Sequence, residues 1–380
     1  MKSLMLPALF LATLSLAVPA AADEPSFDTT ARNAIVIDYQ TGAVMLAKNA
    51  DQRIPTASMS KIMTAYTVYG YLASGKAKLD DMLPVSEAAW RTGGSKMFVP
   101  YPGEVKVSDL LQGMIVQSGN DACIVLAEGL AGSQQAFVEK MNENAKKLGL
   151  TNSHFGDVDG LPTPDHYMSV RDLATLSRDL IHDYPQFYTY EAEKDYTYNG
   201  IKQGNRNPLL YKNSGADGIK TGHTEEAGFG LTASVKRGDR RIIMVATGLG
   251  SMKGRSQEAE KIVDYAFREF QNFQIAKQGD ELDQAQVWLG DKSKVPLVAA
   301  GDLVVTMPRA SRKDMKVTVS YDGPIKAPVT AGQQVGSLVV TVPDMPDQSV
   351  PIITGGAVGA LGPMGRVGAA LSHMIWGAKG

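Results

Sequence analysis

Strand-forming segments at two distant places in this chain enclose a long helical stretch, and no other feature restricts the fold as much. Asn33-Ala-Ile-Val-Ile-Asp38 and Ala43-Val-Met-Leu-Ala47 are β-type runs joined by Tyr39-Gln-Thr-Gly42, a hairpin loop with glycine where a positive φ is wanted. Strand patterns return at Gly218–Gly222, Gly228–Val235 and Arg240–Thr247, the last two flanking the turn Lys236–Asp239. Between them lie helical patterns over Met59–Ser74, Val107–Leu130, Gln135–Leu148 and Val170–His182; another, Ser256–Phe273, follows. Residues 28–274 therefore read as an α+β unit, an antiparallel sheet completed by its first and last strands and covered by a helical layer.

From Asp283 the texture changes to short strands alone: Ala285–Leu289, Leu303–Met307, Met315–Tyr321, Ser337–Val342 and Ser349–Ile353, separated by turns such as Asp322-Gly-Pro324. Residues 275–354 are expected to form a small all-β sandwich. The chain of 380 residues, 44% of them hydrophobic, is long enough for two such cores.

At the start, Met1-Lys2-Ser3, the apolar run Leu4–Val18 and Ala20-Ala-Ala22 read as a secretory signal over residues 1–22, the run being shorter than the ~20 residues of a membrane span. Export to the periplasm is expected. The single cysteine permits no intramolecular disulfide, and Cys123 sits among Ala122, Ile124, Val125 and Leu126, a setting for an inert thiol. A net charge of -2 and no basic stripe argue against nucleic acid as a partner.

Three short motifs carry the chemistry. In Ser58-Met-Ser-Lys61, residues three apart share a helical face, so hydroxyl and amine meet. A serine hydroxyl is a weak nucleophile until a base takes its proton, and lysine is that base only when held neutral. A helix start also aims backbone N–H groups at a developing oxyanion. In Ser118-Gly-Asn120 a second hydroxyl can relay a proton, and a carboxamide offers donor and acceptor to a substrate amide. In Lys220-Thr-Gly222, lysine and threonine can bind a carboxylate, and glycine clears the strand edge for an extended peptide.

In this order, the motifs resemble the Ser-x-x-Lys, Ser-x-Asn and Lys-Thr-Gly set of penicillin-recognising serine enzymes. The longer segments Pro55–Thr64, Ile115–Cys123, Lys147–Asn152, Gly218–His223 and Val287–Ser293 are similar to low-molecular-mass penicillin-binding proteins of the D-alanyl-D-alanine carboxypeptidase type 5/6 group. The resemblance implies a transpeptidase-like catalytic domain with a β-sandwich behind it, peptidoglycan stem peptides as substrate and β-lactams as inhibitors. It makes Ser58 the acylated nucleophile, Lys61 its base and Ser118 a catalytic hydroxyl. Asn120, Lys220, Thr221, Gly222, His223 and Arg255 become substrate-binding residues, with the N–H groups of Ser58 and His223 as the oxyanion hole. Arg255 matches an arginine near the substrate carboxylate.

One departure is Asp159, which stands where the resemblance places a histidine and leaves the deacylation rate open. Two other functions share part of this pattern. A class A β-lactamase needs a glutamate to activate water, and Phe155–Gly160 holds aspartates and no Glu-x-x-x-Asn. A non-catalytic wall-binding scaffold would have no use for the complete motif set. A Ser-His-Asp triad through His223 lacks a Gly-x-Ser-x-Gly elbow, the five histidines show no His-x-x-x-His pairing, and no metal or cofactor is called for.

In the tail, residues 355–380, Met364, Val367, Leu371, Met374, Ile375 and Ala378 fall on one helical arc behind a glycine-rich linker. An amphipathic helix lying on a membrane surface is expected there, and the resemblance implies that this surface is the outer face of the cytoplasmic membrane.

Overall fold

The computed structural model describes residues 27–365 together with 367 and 368. The proposed signal, and most of the amphipathic arc, lie outside the described residues.

In chain order, β1 (Asn33–Asp38) and β2 (Val44–Lys48) precede α1 (Lys61–Ala73), the strand β3 (Met82–Pro84), the short helix α2 (Glu87–Arg91) and the strand β4 (Glu104–Lys106). The helices α3 (Val107–Val116), α4 (Asn120–Ala131), α5 (Gln134–Lys147) and α6 (Val170–Asp183) follow. After the hairpin β5 (Asp195–Tyr198) and β6 (Ile201–Gly204) come β7 (Ala216–Thr224), β8 (Gly228–Arg237), β9 (Arg240–Leu249) and α7 (Met252–Glu269).

The distant strand groups do complete one antiparallel sheet, in the order β2-β1-β9-β8-β7. Every residue of β1 is buried, so its alternating side chains serve two cores. Ile35 and Ile37 pack with α1, α3, α4 and α6, while Ala34 and Val36 face Ala259, Ile262 and Val263 of α7. Helix α6 owes its position to a stripe of Val170, Leu173, Leu176 and Leu180, and to Ser169, whose hydroxyl accepts from Asp172 N (3.0 Å) at its start. Strand β7 is left at an open sheet edge.

Two helical expectations are corrected. The stretch Val107–Leu130 is two helices, interrupted at Gln117–Gly119 because Ser118 adopts φ 66° and turns the chain between α3 and α4. The last helix begins earlier, at Met252, and stops at Glu269; Phe270 opens a strand instead.

That strand, β10 (Phe270–Ala276), begins the all-β unit, continued by β11 (Glu281–Trp288), β12 (Lys294–Ala299), β13 (Leu303–Pro308), β14 (Lys316–Tyr321), β15 (Ile325–Lys326), β16 (Gln334–Thr341) and β17 (Gln348–Thr354). Strand β10 pairs with β13, and the others form one sheet in the order β14-β16-β17-β12-β11-β15. Leu297, Val305, Met307, Val340 and Ile352 fill the space between. The stretch expected to loosen the tail is instead held to this unit. Val358 is buried and exchanges two backbone bonds with Val329, and Leu361 N donates to Leu289 O (2.8 Å).

A buried polar junction joins the units. Asp38 is fully buried and pairs with Arg240 (3.0 Å), which also donates to Phe270 O (2.6 Å); Asn272 Nδ2 reaches Asp38 Oδ1 (3.2 Å).

Candidate active site

A 3-10 turn, Ala57–Ser60, delivers Ser58 to the start of α1, with Lys61 one turn on. Lys61 is 1% exposed, and its Nζ donates to Ser58 Oγ (2.9 Å), to Asn120 Oδ1 (2.8 Å) and to the carbonyl of Asp159. The last two partners are carbonyl oxygens and only accept. They hold two amine positions and turn the third toward Ser58 Oγ.

Ser118 occupies the break between α3 and α4, and its hydroxyl accepts from Lys220 Nζ (3.0 Å). Asn120 is fixed from outside the site as well, its Nδ2 donating to Gly93 O (2.9 Å) and its N–H to Ser95 O (2.7 Å). The neighbouring Asp121 carboxylate accepts from the N–H groups of Met97, Phe98 and Val99, bracing the loop over this break. Both Ala57 (φ 48°) and Ser118 lie in the left-handed region, so the backbone is strained on either side of the nucleophile.

Four basic side chains, Lys61, Lys220, Arg206 and Arg255, stand in or behind the site. Burial, with the charges of Lys61 and Arg206, pushes the Lys220 amine well below its ordinary range. Behind it, Glu191 is buried and pushed up to about 8, chiefly by desolvation, while Lys220 and a bond from Tyr69 Oη (3.3 Å) oppose the shift. Burial also raises the Asp159 carboxyl, against the pull of Lys61. Desolvation pushes the Cys123 thiol up to about 12, which makes it inert at neutral pH, as its apolar sequence context implied.

Ser58, Ser118, Thr221 and His223 line a cleft of about 290 Å³, together with Arg206 and Arg255. Arg255 reaches it from α7, its guanidinium over the Phe229 ring (5.9 Å) and its Nη2 donating to Arg206 O (3.0 Å). Arg206 donates to Ser95 Oγ (2.7 Å). Neither arginine has a carboxylate partner among the described residues, and desolvation lowers both guanidinium pKa values. An unneutralised pair of this kind is a place for an anion.

Sequence reasoning missed Arg206 and Glu191; both come from irregular or 3-10 segments, and only the tertiary fold brings them here. Gly222 lines the same cleft, and the fold adds a second reason for glycine there. A Cβ would lie 2.7 Å from Thr56 O and 3.1 Å from Met59 Cγ, so the residue also permits β7 to press on the serine turn. Gly160 does the same from the opposite loop, where a Cβ would meet Ala57 O at 2.2 Å. His223 stacks on Phe229 (3.9 Å), as a wall of the cleft.

The comparisons with known proteins agree with this geometry. Residues 19–250 match the D-alanyl-D-alanine carboxypeptidase family, and residues 270–360 match the C-terminal domain of penicillin-binding protein 5. The D-alanyl-D-alanine carboxypeptidase DacC of Escherichia coli is 44% identical over 324 residues, 83% of this chain and 80% of its own. The crystal structure of penicillin-binding protein 5 from Haemophilus influenzae superimposes with TM-score 0.80 at 38% identity, covering 87% of this chain and 98% of that one. An ampicillin-bound penicillin-binding protein from Listeria monocytogenes covers 64% of this chain and all of its own, with TM-score 0.59 and 30% identity. With its motifs gathered around one cleft and both of its units matched, this chain belongs to the D-alanyl-D-alanine carboxypeptidase family of penicillin-binding proteins.

Proposed function

We propose that Ser58 is the nucleophile of a serine-type carboxypeptidase that removes the terminal D-alanine from peptidoglycan stem peptides and is acylated by β-lactams. The observation that carries this reading is the pair of lysine–hydroxyl contacts on either side of one cleft, Lys61 with Ser58 and Lys220 with Ser118. Ser58 Oγ attacks the carbonyl between the two D-alanines, and its proton passes to Lys61, whose other positions are fixed by Asn120 and Asp159. The N–H groups of Ser58 and His223 receive the oxyanion. Ser118 relays that proton from Lys61 to the leaving amine, and Lys220, bound behind it, orients the relaying hydroxyl. The carboxylate of the departing D-alanine lies with Thr221, Arg206 and Arg255. Water then hydrolyses the acyl-enzyme.

This reading moves Lys220 from the carboxylate, where its motif suggested it, to the Ser118 hydroxyl. It also places the chain on the outer face of the cytoplasmic membrane. Met364 is 91% and Val367 60% exposed, the first two members of the apolar arc that would lie on the lipid surface. Among the described residues no helix is long and apolar enough to cross a membrane.

Fluorescent-penicillin labelling and D-alanine release test the reading. Ser58→Ala is expected to abolish both, and mass spectrometry to place the adduct on the peptide holding Ser58. A label on Ser60 or Ser118 would overturn it.

A further inference from the structure

Glu191 is a buried ionisable group with no part in the reaction above. It lies on the 3-10 turn Tyr188–Ala192, is 1% exposed, and among the described residues its carboxyl has one hydrogen-bond partner, Tyr69 Oη of α1 (3.3 Å). Burying a carboxyl with so few partners costs free energy, so packing alone does not account for it.

The turn is pressed against β7 beside the third motif. A Cβ on Gly218 would lie 2.6 Å from Tyr188 Oη and 3.2 Å from Glu191 Cβ, so the missing side chain lets Glu191 approach the strand. Gly218 pairs with Ser234 and Lys220 with Thr232, two places along one ladder, which puts the Lys220 side chain on the face that Glu191 approaches. The two residues act on each other. The charge of Lys220 opposes the upward shift of Glu191 more strongly than the Tyr69 bond does, and Glu191 in turn favours the Lys220 ammonium.

The other basic groups facing Lys220 work against its charge. Lys61 and Arg206 repel it, burial removes it from water, and the Cys123 thiol favours it less than Glu191 does. Tyr188 and Glu193 also face Glu191. The neighbouring carboxylates are engaged elsewhere. Asp217 is held by Arg241 at both oxygens (2.7 and 2.6 Å) and by Tyr188 Oη (3.0 Å), and Glu193 accepts from Gln112 Nε2 (2.9 Å). Glu191 is thus the carboxyl left to answer the Lys220 charge.

Resting on the carboxypeptidase reading, we propose that Glu191 is a positioning residue for the proton relay: seated behind β7, it keeps Lys220 an ammonium and so keeps the Ser118 hydroxyl turned toward the leaving amine. An ammonium only donates, so it occupies a lone pair of Ser118 Oγ and leaves the hydroxyl proton to point into the cleft. A neutral amine would accept that proton as well and turn it away from the substrate. As pH rises, Glu191 ionises at about 8 and its charge retains the proton on Lys220, so the relay stays ordered above neutral pH.

The alkaline limb of kcat/KM for a peptide ending in D-alanyl-D-alanine tests this on the full chain. Glu191→Gln keeps the shape and removes the charge, so Lys220 should lose its proton earlier. The limb is expected to move to lower pH by about one pH unit, and the ratio of variant to unaltered kcat/KM to fall on the order of tenfold between pH 6 and 9. Tyr69→Phe withdraws the hydrogen bond that favours the ionised carboxylate and should move the limb the same way by less. Titration of Lys220 by NMR on isotope-labelled lysine, with Lys220→Arg to assign the resonance, should show the same downward shift in both variants. A limb that stays in place in Glu191→Gln, or one that moves while the Lys220 titration does not, would overturn the role. Penicillin acylation of Ser58 and D-alanine release by the unaltered protein keep the outcomes apart. Their presence with an unmoved limb rejects the role of Glu191 alone, and their absence rejects the carboxypeptidase reading beneath it.

Discussion

Where the all-β unit buries Leu297, Val305, Leu338 and Ile352, with Thr306 and Thr354 as its only buried polar side chains among the described residues, the first unit buries Lys61, Lys220, Asp121, Asp159, Glu191 and Arg255. The two cores obey different rules. An aliphatic core gains about 25 cal/mol per Å² removed from water and asks only for shape. Buried ionisable groups cost free energy unless they are paired and hydrogen-bonded, and a nucleophile held beside an amine needs them in place. Stability and catalysis are therefore separable by substitution.

The largest effect should come from Lys61→Met, which keeps volume and removes the amine. Acylation by penicillin is expected to slow on the order of 10²–10⁴-fold, the contribution of a general base. Stability should change little, because relief from burying the amine offsets the orphaned carbonyls of Asn120 and Asp159. Stopped-flow acylation beside thermal unfolding measures both, and a rate within tenfold of the unaltered protein would remove Lys61 as the base.

Leu297→Ala makes the reverse cut. Leu297 is fully buried in the second core, and its truncation should destabilise that unit by about 2–5 kcal/mol. The value of kcat/KM at a temperature where the protein stays folded should be unaltered, since no residue of the cleft belongs to this unit. Loss of activity in the folded variant would show that the polar junction of Asp38, Arg240 and Asn272 transmits more than position.

The same division governs what the sequence discloses. Elements built on apolar periodicity were legible, among them β1, α5, α6 and the strands β7 to β9. The Ser58, Ser118 and Lys220 motifs were legible as chemistry, because residue type and order suffice to mark them. Hidden were features set by contacts between distant segments. Ser118 breaks a helical pattern that has no proline to announce it. Strand β12 carries Pro296, which reads as a breaker yet sits opposite Gln284 in the ladder. Arg206 and Glu191 gain their significance from desolvation beside Lys220, and no spacing in a linear chain encodes that.

Glu191 offers the finest test of the difference between the cores. Its carboxyl lies against Tyr69 and near Lys220 and Glu193, and burial raises its pKa from the ordinary glutamate range to about 8. The folded state therefore keeps a proton that the unfolded chain releases near pH 4.5. The contribution of this group to stability is complete below that pH and is lost as pH rises through about 8. Glu191→Gln keeps the shape and the neutral form at every pH, so it abolishes this loss. The difference in stability between the variant and the unaltered protein should grow with pH across that window by roughly 1–3 kcal/mol, or a few degrees in Tm. No such trend is expected for a substitution in the aliphatic core, and Leu297→Ala serves as the control. A constant difference between pH 5 and 8 would mean that Lys220 neutralises Glu191 throughout, and that the first core holds a full ion pair behind its catalytic hydroxyl.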